Sequence, residues 1–331
     1  MSIDLYGIGN ALVDSEYKVS EAVLAQTGFT KGTMTLVDAE QRQHLITLLE
    51  DASQITLSKR AGGGSAANTV VTTALLGGAT FYSCKVSNDG TGDFFVQDLA
   101  ELGVATNLDE TRPDGVTGEC ISMVTPDGER TLVTHLGITQ TLSPAEVDEA
   151  VLASAKYLYI EGYLVTSPTA LEAVLKTQTI AKKHGVKIAL TLSDVGMVEN
   201  FKTEFNTLFQ NGVDLLFCNE DEAKIWTGQP DRDQAAQALG QYAKAFAMTL
   251  SGDGAIVSGS DGAPVFVAAE KVQALDTTGA GDTFAGGVLY DLARGATLEA
   301  ATARAHRLAQ QVVSRFGARL DHQEVIQITG D

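Results

Sequence analysis

Asp276-Thr277-Thr278-Gly279-Ala280-Gly281-Asp282-Thr283-Phe284-Ala285-Gly286-Gly287 sets two acids around a turn of small residues and runs straight into an apolar helix pattern. Gly279 and Gly281 leave backbone N–H groups bare, and a helix starting near Gly281 adds the positive end of its dipole. Such a turn holds an anion, with Gly279, Ala280 and Gly281 as donors, and Asp282 falls beside it. A carboxylate next to an anion hole is a base next to a phosphate, the layout that phosphoryl transfer requires. A Gly-rich turn with an Asp helix cap has the same local sequence.

Far upstream, Ala61-Gly62-Gly63-Gly64-Ser65-Ala66-Ala67-Asn68-Thr69 again places glycines before a helix pattern, here Ala/Val/Leu-rich and running to about Leu76, with Asn68 one turn inside. Together the two stretches resemble the PfkB, or ribokinase, family of small-molecule kinases. Its members carry Gly-Gly-x-x-x-Asn near the N-terminus and Asp-Thr-x-Gly-Ala-Gly-Asp near the C-terminus. Motif order and spacing extend the resemblance from Ile3 to about Arg319. It implies a ribokinase-like α/β fold, with a central mostly parallel sheet flanked by helices and a small β lid. It also implies ATP as co-substrate, Mg2+ on its phosphates and Asp282 as general base.

The periodicities agree with that fold. Ile3–Gly9 alternates like a strand and ends in turn residues, and Ala79–Val86 reads as another. Apolar runs at 157–160, 186–192, 213–218 and 246–250 alternate with helical stretches at 168–184, 197–210 and 231–245, which predicts a parallel sheet covered on both faces. Final helices are expected from Gly281 to Arg294 and from Leu298 to about Phe316. Two segments break the rhythm. Residues 15–37 are polar with scattered apolar positions, and Val116–Thr134 reads as a hairpin turning at Asp127-Gly128 with one apolar face. The resemblance makes these a lid, so that 15–37 and 111–136 cover the substrate while 1–14, 38–110 and 137–331 form the core that carries ATP and the catalytic site.

Composition narrows the classes. Asp and Glu outnumber Lys and Arg by 42 to 23, and the net charge of −19 repels nucleic acid and anionic membranes. No apolar run approaches the ~18 residues of a membrane span, and Met1-Ser2-Ile3-Asp4-Leu5 shows no secretory pattern. Cys84, Cys120 and Cys218 are isolated, as expected of thiols in a reducing, cytoplasmic compartment. The partner expected is a small-molecule substrate, with the chain a monomer or a homodimer. No Gly-Lys pair exists to build a Walker-type loop, and Leu12 stands where a dinucleotide fingerprint from Gly7 needs its third glycine. Ala67 removes a hydrolase elbow at Ser65, and no His-x-x-x-His pair occurs.

Further residues take roles from the resemblance. Asn219-Glu220-Asp221-Glu222 follows an apolar strand, and in the family an Asn-x-x-Glu there organises Mg2+ and phosphates through water. A capping box reads the same two residues, and both readings can hold. Thr249-Leu250-Ser251-Gly252-Asp253-Gly254 is similar to the family's nucleotide turn, implying ATP contacts from Asn219, Thr249, Ser251 and Gly254. Ser251 stands where relatives often have glycine. His306 falls near the region that borders adenine in relatives. Asp276 and Thr278 are candidate ligands of a monovalent cation such as K+.

Gly9-Asn10-Ala11-Leu12-Val13-Asp14 follows the first strand, beyond the carboxyl end where open α/β sheets bind ligands. The family places an acid at Asp14 to hold sugar hydroxyls, and a carboxylate accepts well from a vicinal diol. Asn10, Gly63, Gly64 and Asn68 join it as substrate residues, with Glu161 at a later strand end. The Gly63–Asn68 and Gly9–Asp14 stretches, and Phe316-Gly317-Ala318-Arg319, are similar to the adenosine kinase branch, whereas ribokinase and phosphofructokinase branches more often carry Gly-Gly-Lys-Gly. The resulting expectation is ATP-dependent phosphorylation of adenosine at its 5′-hydroxyl, by an Asp282 that the helix dipole keeps ionised and weakly basic. A ribose or fructose kinase is the second reading. A non-catalytic nucleotide or sugar sensor is a third, opposed by the intact Asp282, Asn219 and Glu222, and a nicotinamide-dependent dehydrogenase stands furthest away.

Overall fold

The computed structural model describes residues 2–108, 111–259 and 262–330. Residues 109 and 110, at the boundary drawn between core and lid, lie outside the described residues. The strands are β1 (Ile3–Ile8), β2 (Leu12–Lys18), β3 (Met34–Leu36), β4 (Lys59–Gly63), β5 (Thr80–Ser83), β6 (Ala105–Thr106), β7 (Gly118–Val124), β8 (Arg130–His135), β9 (Ala155–Ile160), β10 (Lys187–Thr191), β11 (Leu215–Asn219), β12 (Ala245–Thr249), β13 (Gly254–Ser258) and β14 (Val265–Ala268).

Among the described residues they form two sheets. The large one has the order β14-β13-β12-β11-β10-β9-β1-β5-β6. It is parallel from β12 to β6, and β13 and β14 add an antiparallel edge. Helices cover both faces. Pro168–His184, Lys202–Gln210 and Glu220–Thr227 pack on one apolar cluster, and Ser65–Leu75, Ala280–Leu292 and Leu298–Val313 on the other. The helix at Pro168–His184 has the predicted ends, because Ser167 caps it, Pro168 suits its first turn and Gly185 takes the left-handed conformation after it. The helix expected over 197–210 breaks at Phe201, whose ring packs against the core between Val195–Asn200 and Lys202–Gln210. No helix of the described residues is long and apolar enough to cross a membrane.

The small sheet has the order β3-β8-β7-β2-β4. The expected hairpin is there, β7 against β8. The sheet is wider than the sequence reading drew it, taking in residues 12–14 and the strand Lys59–Gly63. It also has its own core. Tyr17, Leu24, Leu45, Leu49, Ile121 and Met123 pack its outer face against helices Glu21–Thr27 and Ala39–Ile46. The segment 38–63 therefore belongs with the small sheet, and its apolar residues could not be buried on the large one as well. The chain crosses between the sheets at Gly9–Ala11, at Gly64, between β6 and β7, and between β8 and β9.

Candidate active site

Both motif turns lie at the carboxyl edge of the large sheet, beside β1. There the order splits, β5 and β6 to one side and β9 to β12 to the other, which is the switch point where open α/β sheets bind ligands. Gly64 and Gly279 precede the helices Ser65–Leu75 and Ala280–Leu292 with φ of 101° and 78°. These are left-handed backbones that favour glycine. Neither helix has a side-chain cap.

At the second turn the N–H groups of Gly279, Gly281 and Asp282 have no acceptor among the described residues. Ala280, expected as a third donor, instead gives its N–H to the Thr277 carbonyl at 3.3 Å. A methyl at Gly279 would lie 2.3 Å from the Ala318 carbonyl, whereas one at Gly281 would meet no protein atom within 4 Å. The open side of this turn is therefore at Gly281 and Asp282.

Asp282 sits in the first turn of its helix, half-buried. Its Oδ1 accepts from the Ser65 hydroxyl at 2.6 Å and its Oδ2 from Asn68 Nδ2 at 2.9 Å. Burial pushes its carboxyl up to about 6, against the pull of those two bonds and of Arg319. The helix dipole alone would leave a weaker base. Desolvation outweighs it, so Asp282 is ionised at neutral pH yet closer to the range of a working base.

Asp14, on β2, stands over Gly63, where a methyl would lie 2.7 Å from its Oδ2. Burial pushes its carboxyl up to about 6 as well, with Arg319 and Arg130 opposing. Asn10 and Glu161 lie behind this pair. Glu161 is only 1% exposed, and its carboxylate accepts from Asn10 Nδ2 (2.8 Å), Asn10 N (3.3 Å) and Ala66 N (2.8 Å). Asn10 Oδ1 accepts from Thr139 at 3.3 Å. These bonds hold β1, β9 and the helix at Ser65 together, which gives both residues a supporting role. Burial raises Glu161 to about 7. Asn68 likewise has both amide ends engaged, its Oδ1 accepting from Arg319 Nε at 2.8 Å.

The nucleotide-side residues divide in the same way. Asn219 and Thr249 end β11 and β12 at the same carboxyl edge. Asn219 and Glu222 form a full capping box, with Glu222 bonded to Asn219 N at 3.0 Å and to Nδ2 at 2.7 Å. Glu222 is 4% exposed and raised by burial to about 7, so of the two it is Asn219 that reaches solvent. Ser251 is exposed with φ of 53°, the conformation that glycine would take more easily. Gly254 is buried with its Cα against β14, where a methyl would lie 2.2 Å from the Val267 carbonyl, so the glycine serves the hairpin. His306 also packs against β14. Its Nε2 lies 3.2 Å from the Val267 carbonyl and must carry the proton, and its ring packs on Phe284.

Asp276 Oδ2 accepts from Arg130 Nη1 at 2.8 Å and from Gly317 N at 3.0 Å, and its Oδ1 from Thr278 N at 3.0 Å. The negative charge expected to hold a monovalent cation is met by Arg130. Among the described residues, no group of three or more His, Cys, Asp or Glu is placed to share a metal ion. A cavity of about 630 Å³ lies elsewhere, lined by Phe29 and by Glu40, Gln41, His44 and Leu48 of the helices over the small sheet, and no motif residue reaches it.

Sequence reasoning missed Ser65, Asp98 and Arg319 at this site. Ser65 was legible inside the first motif. Arg319 closes the stretch Phe316–Arg319, but its pairing with Asp98, 221 residues away at 2.6 Å, has no local signal.

The site's neighbours in sequence and structure are kinases. Residues 32–324 match the pfkB family carbohydrate kinase. The chain is similar to the ribokinase of Mus musculus, 30% identical over 240 residues that span 70% of this chain and 71% of the other. It is similar in structure to the adenosine kinase from Sinorhizobium meliloti, at 34% identity and a TM-score of 0.86 over 100% of both chains. It is also similar to a probable sugar kinase from Rhizobium etli, at 35% identity and a TM-score of 0.86 over 100% of this chain and 99% of that one. With two glycine-capped helix ends, a carboxylate between them and these matches along its length, the chain belongs to the pfkB family of carbohydrate kinases.

Proposed function

We propose that this kinase transfers the terminal phosphoryl group of ATP to the 5′-hydroxyl of a purine nucleoside, adenosine first. In this reading Asp282 accepts the proton of the attacking hydroxyl. The N–H groups of Gly279, Gly281 and Asp282 receive the charge on the transferring group. A loose transition state releases its proton late, so a carboxyl near 6 suffices. Asp14, seated over Gly63, accepts from the ring hydroxyls. Asn219, Thr249 and Ser251 border the nucleotide. Mg2+, when bound, neutralises phosphate charge. The exposed Asn219 amide, held by Glu222 from behind, would face the ion through water. The three free cysteines suit a reducing, cytoplasmic setting.

The observation that carries the nucleoside assignment is one row of residues across the small sheet. Ala61, Asp14, Cys120, Thr134 and Leu36 are in register on adjacent strands, and Lys59, Glu16, Ser122, Leu132 and Met34 form the next row on the same face. The face runs from an acid at one end to Leu36 and Met34, 60% and 57% exposed, at the other. With strands about 4.8 Å apart, Leu36 stands ~14 Å from Asp14. A free sugar would occupy the acidic end and leave the apolar end wet. A purine would cover it, a contact worth about 1–3 kcal/mol by analogy with base stacking, or roughly 5- to 150-fold in kcat/KM.

Similarity to ribokinase supports a second reading, a kinase of ribose or fructose. Adenosine, inosine, ribose and fructose compared at one ATP concentration decide between them. Higher kcat/KM for adenosine or inosine is expected, and a sugar turned over better than every nucleoside would establish the second reading.

A further inference from the structure

Arg319 stands among three acids. Its Nη1 pairs with Asp98 Oδ2 at 2.6 Å and its Nε donates to Asn68 Oδ1 at 2.8 Å, while its Nη2 is buried with no partner among the described residues. Asn68 passes this constraint on, because its Nδ2 donates to Asp282 Oδ2 at 2.9 Å. An amide can turn either end to a carboxylate, and the oxygen end would repel it. A guanidinium has donors only, so it can hold nothing but the oxygen end of Asn68. The glycine at 62 makes the room, since a methyl there would lie 2.2 Å from Asp98 Oδ2 and 2.8 Å from Arg319 Nη1. Burying a donor without a partner costs stability, so the unpaired Nη2 argues that the side chain is kept for something other than folding. The same positive charge reaches Asp282 and Asp14 and pulls both carboxyls down against burial.

We propose that Arg319 is a positioning residue for phosphoryl transfer, which fixes the amide of Asn68 so that Asp282 keeps its proton-accepting carboxylate aimed and charged. The proposal rests on Asp282 being the base, and the test separates the two. Arg319→Lys keeps the charge and can keep the pair with Asp98 but loses the forked donor to Asn68. Arg319→Gln removes the charge. Each is assayed with MgATP and whichever of adenosine and ribose the wild type turns over faster, beside Asp282→Asn, with melting temperature as the control for folding.

For Arg319→Lys, kcat should fall about 10-fold with KM for ATP within about twofold and the acid limb of the pH profile in place. For Arg319→Gln, kcat should fall by about 30-fold or more, and the acid limb, near 6 in the wild type, should move up by about one pH unit. If the glutamine variant does not fold, the lysine variant decides, since a folded enzyme with normal kcat contradicts the role. Loss of activity in Asp282→Asn, with both Arg319 variants within about twofold of wild-type kcat and an unmoved acid limb, overturns the proposal alone. Near-normal turnover in Asp282→Asn overturns the base assignment and the proposal with it.

Discussion

At residues 62–64 the glycines clear space for the protein's own side chains and backbone, while at 279–281 one of them clears space that no protein atom fills. Gly62 lies under the Asp98–Arg319 pair and Gly63 under the Asp14 carboxylate, and Gly64 makes the left-handed turn into its helix. Gly279 makes the matching turn against the Ala318 carbonyl, but Gly281, one residue into the helix, faces nothing. Two similar-looking motifs therefore do unlike things. The first turn fits a carboxylate and an ion pair against a ring-sized face, and the second leaves backbone donors bare for an anion. Open space alone is common at surface glycines, so what points to a ligand at 279–282 is that the space lies beside backbone N–H groups with no acceptor among the described residues.

The acids of the two turns give the largest contrast. Asp282→Asn should lower kcat by about 10²–10⁴ with little change in acceptor KM, as expected when the lost interaction belongs to the transition state. Asp14→Ala should act on the other parameter, raising acceptor KM by roughly 10- to 100-fold for the loss of charged hydrogen bonds. Steady-state kinetics of both variants checks the split, and the same effect on the same parameter in both would erase the distinction between the turns.

Stability gives the next contrast. Gly279→Ala combines a left-handed alanine with a clash against backbone, so chemical denaturation should read a loss of about 2–5 kcal/mol. Gly63→Ala meets only the end of the Asp14 side chain, which can move. It should cost about 1 kcal/mol or less and show itself in acceptor KM.

The smallest effect is on pH dependence. Asp14 and Asp282 are raised from 3.8 to about 6, and Glu161 and Glu222 from 4.5 to about 7. The folded protein holds these protons where the unfolded chain has lost them. Their contribution to stability is therefore full below the unfolded values and lost as pH rises through 6 to 7. Asp4, Asp89 and Asp276 are lowered and act oppositely, contributing above 3.8 and losing that contribution below it. Between about pH 5 and about pH 8 the raised group should dominate the carboxyl contribution. Thermal melts of Glu161→Gln should therefore show a shallower decline, or a steeper rise, over that interval than the wild type, and the opposite change in slope would contradict the assignment.

Much of this architecture was readable because it is written locally. Ser167-Pro168 and Gly185 mark one helix at both ends, and the run 276–287 carries its turn, its acid and its helix in consecutive residues. What escaped depends on where side chains point after folding. Lys59-Arg60-Ala61-Gly62-Gly63 has neither the alternation nor the residue types of a strand, and it pairs because β2 lies beside it. Glu161 looked like a substrate acid at a strand end, yet it turns inward to Asn10 and Ala66. His306 and Gly254 both answer to β14, an edge strand the sequence did not announce. Arg130 reaches Asp276 from the small sheet, across 146 residues.

Gly281→Val tests the central claim most directly, that the turn at 279–281 is open because a phosphoryl group comes to it. The new side chain meets no protein atom at its Cβ, and glycine is a poor helix former, so melting temperature should hold or rise. Turnover with MgATP should meanwhile fall by about 10²-fold, as when one oxyanion donor is lost. A folded Gly281→Val enzyme with normal kcat, or one whose loss of activity follows its loss of stability, would contradict the account.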